Sequence, residues 1–203
     1  MEQIKEYEYV DLGLPSGLKW ANMNLGAASE TDYGDYFMWG ATTPNNDTPC
    51  DWKHAPFNNG SNDYDDEYFN THKSEWLDSK NNLKSEYDAV YKATDGMARM
   101  PTSAEFQELY DNTYNEWIEN FNGSGVNGRK FTSKTKGNSI FIPASGYRLG
   151  SLLRGQGMGG DVWSSSLNAT LHGGALELGF SSYTIYMGDS GRYYGLVVRG
   201  VMD

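Results

Sequence analysis

Cysteine is nearly absent from this chain of 203 residues. Only Cys50 is present, which excludes an intrachain disulfide framework and a multi-cysteine zinc site. Cys50 is expected to be a surface or half-buried thiol. Basic residues are also scarce, 16 against 27 acidic ones, for a formal charge of -11. Binding by counterion release therefore lacks its electrostatic basis, and neither nucleic acid nor an anionic membrane is an expected partner. There are three histidines, His54, His72 and His172, and they lack HExxH spacing. No GxxxxGK phosphate loop occurs, and Ser164-Ser165-Ser166 lacks the Gly-x-Ser-x-Gly elbow that would expose a nucleophile. No catalytic residue, metal site or cofactor is assigned on these grounds.

Long apolar runs are missing too. No segment approaches a membrane span, so no membrane insertion is expected. The N-terminus, Met1 to Tyr7, has no apolar core of signal-peptide length. This fits a virion or cytoplasmic protein at synthesis, or a surface-displayed one whose leader has been removed.

What the chain has instead is aromatic and small residues. Aromatics are 14% and glycines number 24, too rich in rings for a disordered chain, and the length suits one domain, residues 1–203. The C-terminal third, about 147–199, alternates anchors with loops at Leu149 to Gly160, Leu167 to Gly174 and Ser181 to Gly191. Those loops are built from Gly, Ser, Tyr, Asn, Asp and scattered Leu, without Lys. Such a composition suits recognition, because Tyr offers large contact area at small entropic cost while small polar residues adapt.

The rest reads as α+β. Tyr9 to Leu12 and Leu18 to Ala21 flank Pro15-Ser16-Gly17 as a turn-linked strand pair, and a strand follows at Tyr36 to Trp39. Thr42 to Asn70 is polar and is expected to be a long irregular excursion pinned by Trp52, Phe57, Tyr64, Tyr68 and Phe69. Its acidic cluster Asp63, Asp65, Asp66, Glu67 does not fit an EF-hand and reads as a solvated loop. Two helices are predicted, one around Glu86 to Lys92 and one after Thr102, where Glu105 completes a capping box. Gly128 to Thr132 and Ser139 to Pro143 read as strands across a Lys-Gly-Asn turn.

Several strings together carry a resemblance. Tyr9-Val10-Asp11-Leu12-Gly13-Leu14-Pro15-Ser16-Gly17-Leu18-Lys19-Trp20, Tyr33 to Gly40, Arg99 to Phe106, Asn138 to Ala144, Gly146-Tyr147-Arg148, Trp163 to Ser166 and Arg192 to Arg199 occur in order along nearly the whole chain. This pattern resembles a paralogous domain family abundant in Bacteroidetes and Fibrobacter. The resemblance implies a C-type-lectin-like fold of the subtype shared with formylglycine-generating enzymes and with variable proteins of diversity-generating retroelements. Short antiparallel sheets, two helices and many long loops are then expected, with paired terminal strands and a C-terminal ligand face.

In such variable proteins, change at template adenines acts chiefly on Asn-type codons, which cannot yield Lys, Glu, Gln, Met or Trp. Gln156, Met158, Trp163, Glu177 and Met187 must then be fixed scaffold. The ligand contacts implied are Leu149, Leu152, Leu153, Arg154, Asp161, Leu167, Thr170, Leu171, His172, Gly173, Ser182, Tyr183, Tyr186, Asp189 and Ser190. Tyr147, Trp163 and Val197 are expected inside, and Tyr193 and Tyr194 in the framework. Of Tyr183 and Tyr186, one is expected to pack inward and the other outward. His172 is expected as a surface contact, and the five loop leucines are read as either exposed or core. The partner is an unidentified protein or cell-surface ligand, bound without catalysis.

Two alternatives remain: an invariant adhesin or structural module of the same fold, and an enzyme of the formylglycine-generating type. The latter relies on a cysteine pair, and Cys50 stands alone and is expected far from the C-terminal face. The sugar-bridging calcium motifs of lectins are also missing, since Trp163 is followed by Ser164-Ser165-Ser166.

Overall fold

The turn at Pro15 to Gly17 closes with the Gly17 N–H donating to the Leu14 carbonyl at 2.9 Å. It joins β1 (Tyr9–Asp11) to β2 (Lys19–Asn24) as an antiparallel pair. This is a computed structural model describing residues 7–203; Met1 to Glu6, part of the segment read for a leader, lie outside the described residues. After β3 (Tyr36–Phe37) the polar stretch crosses to α1 (Asp66–Trp76). A 3-10 turn at Ser85–Tyr87 leads into the short α2 (Ala89–Ala93), and α3 (Ser103–Asn112) follows. The predicted capping box is present on α3: the Glu105 N–H donates to Thr102 Oγ1, and the Thr102 N–H to the Glu105 carboxylate.

Helix α1 corrects the expectation of two helices and of an irregular stretch running to Asn70. Asp65, read as part of a solvated acidic loop, is the N-cap and accepts from the Tyr68 N–H, while Asp66 and Glu67 sit in the first turn, where the helix dipole favours negative charge. Only Phe69 and Trp76 of this helix are buried. So narrow an apolar stripe explains why the periodicity was weak.

The chain then forms an antiparallel meander, β4 (Thr113–Ile118), β5 (Gly128–Ser133) and β6 (Ser139–Pro143). The last two match the predicted strands, and β4 adds a third. A hairpin follows, β7 (Tyr147–Leu149) with β8 (Leu152–Arg154). Next come β9 (Gly159–Leu167), β10 (Gly174–Ser181), β11 (Ile185–Gly191), β12 (Leu196–Val197) and β13 (Arg199–Met202). The largest sheet has the order β11-β10-β9-β12-β3, and β13 returns to pair with β2, so the strands near the two chain ends join in one sheet. The architecture is sheet-rich α+β. Among the described residues no helix is long and apolar enough to cross a membrane.

Strand alternation divides the large sheet between two apolar clusters. Val162, Leu178, Phe180 and Val197 pack with Trp20, Phe106 and the β5 and β6 residues Phe131, Ile140 and Ile142. Trp163, Leu167 and Ala175 point the other way, onto Trp39, Phe69, Trp76 and Val90. Each fully buried side chain of this size stabilises the fold by roughly 1.5–3 kcal/mol. Arg199 is buried where the sheets meet; its Nε donates to Asn24 Oδ1 at 2.9 Å and its Nη1 to the Phe141 carbonyl at 2.9 Å, tying β13 to β2 and β6.

Candidate functional site

Three strands of the large sheet carry the site. On β10, Ala175, Glu177 and Gly179 share one face, while Leu178 and Phe180 enter the core behind it. Glu177 pairs across to Trp163 on β9 and to Gly188 on β11, and Gly179 to Asp161 and Tyr186. At Gly179 the strand is closely approached: a Cβ there would come within 2.4 Å of the Tyr186 ring, which lies over the strand and would have to move aside. The result is a cleft of about 370 Å³ lined by Tyr147, Asp161, Glu177, Tyr186, Asp189, Ser190, Gly191 and Tyr194.

Its side wall comes from the β7–β8 hairpin, in which Tyr147 is cross-strand partner to Arg154. The hairpin is seated by Gly146, whose φ is +61° and whose missing Cβ would stand 2.1 Å from the Arg154 carbonyl oxygen. Both features demand glycine. Tyr194 packs on Tyr147 with ring centroids 5.5 Å apart.

Charge in the cleft is acidic and incompletely answered. Glu177 is 4% exposed, and its Oε2 has no hydrogen-bond partner among the described residues. Burial, with Asp161 and Asp189 adding like charge and Ser190 opposing through a hydrogen bond, pushes the Glu177 carboxyl up to about 8. Burial also lifts Asp161 to about 6. At neutral pH Glu177 therefore holds a proton in the empty cleft. Such a group can donate that proton, or release it when a cation arrives.

A larger groove, about 630 Å³, runs past Asp88, Arg99, Thr102, Glu105, Ser165 and Ser166. Most of its polar groups are partnered within the protein. Arg99 grips Glu105 through two bonds of 2.8 and 2.7 Å, Asp88 accepts from the Tyr91 and Met100 N–H groups, and Ser166 donates to Asn82. Burial would raise the Glu105 pKa, but Arg99 and Thr102 outweigh it, so it ends below the usual carboxylate range. The groove is structural bracing.

The expected contact residues do not form one patch. Asp161, Tyr186, Asp189 and Ser190 line the cleft. Leu152, Leu153 and Arg154 lie exposed on the adjoining hairpin, with Leu149 half-buried at its tip. Thr170 and Leu171 cap one end of β10, and Ser182 and Tyr183 the other, roughly 25 Å away by strand rise. The interval Ser181 to Gly191, expected as a loop, is largely the edge strand β11.

Several expectations are overturned or narrowed. Leu167 is 3% exposed inside the core and cannot touch a ligand. His172 is half-buried against α1, its ring centroid 6.0 Å from that of Phe69, and its carbonyl accepts from Arg192 Nε. Neighbouring Gly173 is also drawn in: its carbonyl accepts from the Arg192 N–H, and the Tyr64 ring stands over it. Neither Tyr183 nor Tyr186 packs inward, because Tyr183 sits in the turn at 97% exposure and Tyr186 lies over glycines on the edge strand. Cys50 is fully buried and bridges Gly150 by two backbone bonds, so it lies against the C-terminal hairpin; burial raises its pKa.

Tyr147 was expected inside and is instead a half-buried wall of the cleft. Glu177 and Tyr194 were assigned to scaffold and line it as well. The missed signal was the string Ala175-Leu176-Glu177-Leu178-Gly179-Phe180, in which a single carboxylate occupies an otherwise apolar strand. Comparison with family models, with curated proteins and with solved structures finds no match to this chain.

Proposed function

We propose that this chain is a C-type-lectin-like binding protein, the diversified target of a retroelement, which holds a protein or other surface ligand without catalysing a reaction. One observation carries the reading: side chains suited to contact, Leu152, Leu153, Leu171, Tyr183 and Tyr186, are exposed on turns and an edge strand that a buried sheet holds rigid. Recognition residues on a braced scaffold bind with little ordering cost. The pairing of β13 with β2 is what paired terminal strands of such a fold would give. A buried Cys50 with a raised pKa supplies little thiolate, which counts against chemistry of the formylglycine-generating type.

The codon rule and the burial pattern sharpen the variable set together. Trp163 and Glu177 are both forbidden by codon and buried. Leu167 is permitted by codon yet buried, so it belongs with the fixed residues. The test is the neighbouring DNA. A reverse transcriptase gene and a near-copy of the segment encoding residues 147–199, differing at adenines for Leu152, Leu153, Leu171, Tyr183, Tyr186 and Asp189, is the expected finding. No such copy, or differences at Trp163 and Glu177, would overturn the reading and leave an invariant binding module.

A further inference from the structure

The cleft over β9, β10 and β11 contains acceptors and aromatic faces but no cation to answer them. Of the described residues that line it, none is Lys, Arg or His, whereas Asp161, Glu177 and Asp189 contribute carboxylates and Tyr147, Tyr186 and Tyr194 contribute rings. A buried carboxyl oxygen left without a partner costs free energy unless a ligand completes it. Glu177 Oε2 is such an atom. The fold maintains it on a strand whose neighbouring positions, Leu176 and Leu178, are apolar.

We propose that this cleft receives a primary alkylammonium group, the side-chain head of a lysine on a protein partner, between the Glu177 and Asp161 carboxylates and the rings of Tyr147, Tyr186 and Tyr194. The inference deepens the binding reading above but does not depend on diversification. Tyrosine faces attract an ammonium through the ring quadrupole, and the attraction grows where water is excluded. A compact ammonium carries three rotatable donors and can meet the free oxygen of Glu177 and Asp161 together. A guanidinium fork prefers both oxygens of one carboxylate, whereas here two separate carboxylates, Glu177 and Asp161, face one space. Among the described residues no three His, Cys, Asp or Glu side chains converge closely enough to hold a metal ion, which sets this acidic cleft apart from a divalent-cation site. The lysine is assigned to a protein rather than to a free polyamine because exposed Leu152 and Leu153 stand on the same hairpin as the Tyr147 wall, offering apolar contact to the chain that carries it.

Binding is linked to proton release. Glu177 is faced by Asp161 from β9, by Tyr186, Asp189 and Ser190 from β11, by Tyr147 from β7 and by Tyr194, with the charge of Arg154 reaching Tyr194. Burial and like charge keep Glu177 protonated at neutral pH, while a lysine head stays charged to well above pH 8.5. The cleft therefore becomes a stronger acceptor as pH rises from 6 to 8.5.

The experiment titrates the purified protein with N-acetyl-lysine N-methylamide, followed by NMR shifts of the tyrosine rings, at pH 6 and pH 8.5. Saturable binding, roughly 10- to 100-fold tighter at the higher pH, is the expected result. Glu177→Gln should abolish both the binding and its pH dependence, with retained chemical-shift dispersion reporting that it folds. Tyr186→Ser, on the exposed edge strand, should weaken binding by itself and covers the case in which the Glu177 variant does not fold. Absence of saturable binding by the folded protein overturns the proposal. So does equal binding of the neutral Nε-acetylated lysine derivative, or tighter binding of the arginine analogue, of spermidine or of calcium. A negative titration beside an adenine-substituted copy in the DNA would sink the lysine site alone, and the reverse pair of results would sink diversification alone.

Discussion

One face of the β9–β10 pair has a dry end and an open end, and the two differ in how they treat what they bury. At the dry end Trp163, Leu167 and Ala175 sink into a cluster with Trp39, Phe69 and Trp76, and the polar atom that goes with them is answered: Trp163 Nε1 donates to the Phe37 carbonyl at 2.9 Å. At the open end, a few residues along the same strands, Asp161, Glu177 and Tyr186 surround a cleft and a buried carboxylate oxygen is left without a donor. Unpartnered atoms are not peculiar to the open end, since Arg192 Nη2 is buried without a partner and its guanidinium lies over Phe69. Glu177 Oε2 differs in lining a cleft, where a ligand can restore the stability the fold forgoes.

The sharpest way to break this contrast is to cut into the dry end. Leu167→Ala removes a buried leucine from the cluster and is expected to destabilise the protein by about 2–5 kcal/mol in urea denaturation. A cost near zero would put Leu167 back among the contact residues.

Next in size is a change of sign at the open end. The folded state holds the Glu177 proton up to about pH 8, whereas an unfolded glutamate releases it near 4.5. Between those values the unfolded state binds fewer protons, so stability falls as pH rises, by at most about 1.4 kcal/mol per unit. Glu177→Gln removes this slope. Melting curves of the two proteins should nearly coincide at pH 5 and separate by pH 8.5 with the variant the more stable; parallel curves would mean the carboxylate is solvated. Glu105 provides the opposite case. Its lowered pKa contributes stability above the unfolded value that is lost on acidification, so Glu105→Gln should narrow its deficit as pH falls toward 3.

A smaller effect is expected from Gly179→Ala. The new Cβ would meet the far end of the Tyr186 ring at 2.4 Å, and that half-exposed side chain can swing outward. Stability should change by less than about 1 kcal/mol, while the Tyr186 ring resonances move and the cleft widens. Unfolding instead would show that Tyr186 is part of the packed core.

The cluster behind the sheet was far more legible in the sequence than either end of this face, whose dry end was misread at Leu167 and at α1. Alternating apolar residues, the Pro15-Ser16-Gly17 turn and the Thr102–Glu105 capping box are local patterns, and β1, β2, β5, β6 and α3 followed from them. Helix α1 did not, because only Phe69 and Trp76 mark its inward face and the polar residues between them outnumber the stripe. Nor did the cleft. Tyr147, Glu177 and Tyr194 are 30 and 17 residues apart in sequence, and only the register of β9 to β11 and the seating of the hairpin on Gly146 bring them around one space. The codon rule would place Glu177 among fixed positions, and it is buried, but composition alone could not say that it also lines a cleft.

The smallest expected effects lie at the two turns beyond the cleft. Tyr183 is 97% exposed and Leu171 is 64% exposed, so truncating either removes little packing. The Tyr183 turn is held from behind, where Arg129 Nη2 donates to the Ser181 carbonyl at 2.8 Å and to the Thr184 carbonyl at 3.3 Å, and those bonds do not involve the tyrosine side chain. Tyr183→Ala and Leu171→Ala should each stay within about 0.5 kcal/mol of the parent in denaturant titration. Arg129→Ala should cost more than either, since it vacates a buried position and removes the side-chain donor to the Ser181 and Thr184 carbonyls. If Tyr183→Ala proved the more damaging of the two turn-end changes, the tyrosine would be holding the turn rather than being presented by it, and it would pass from the contact surface to the scaffold.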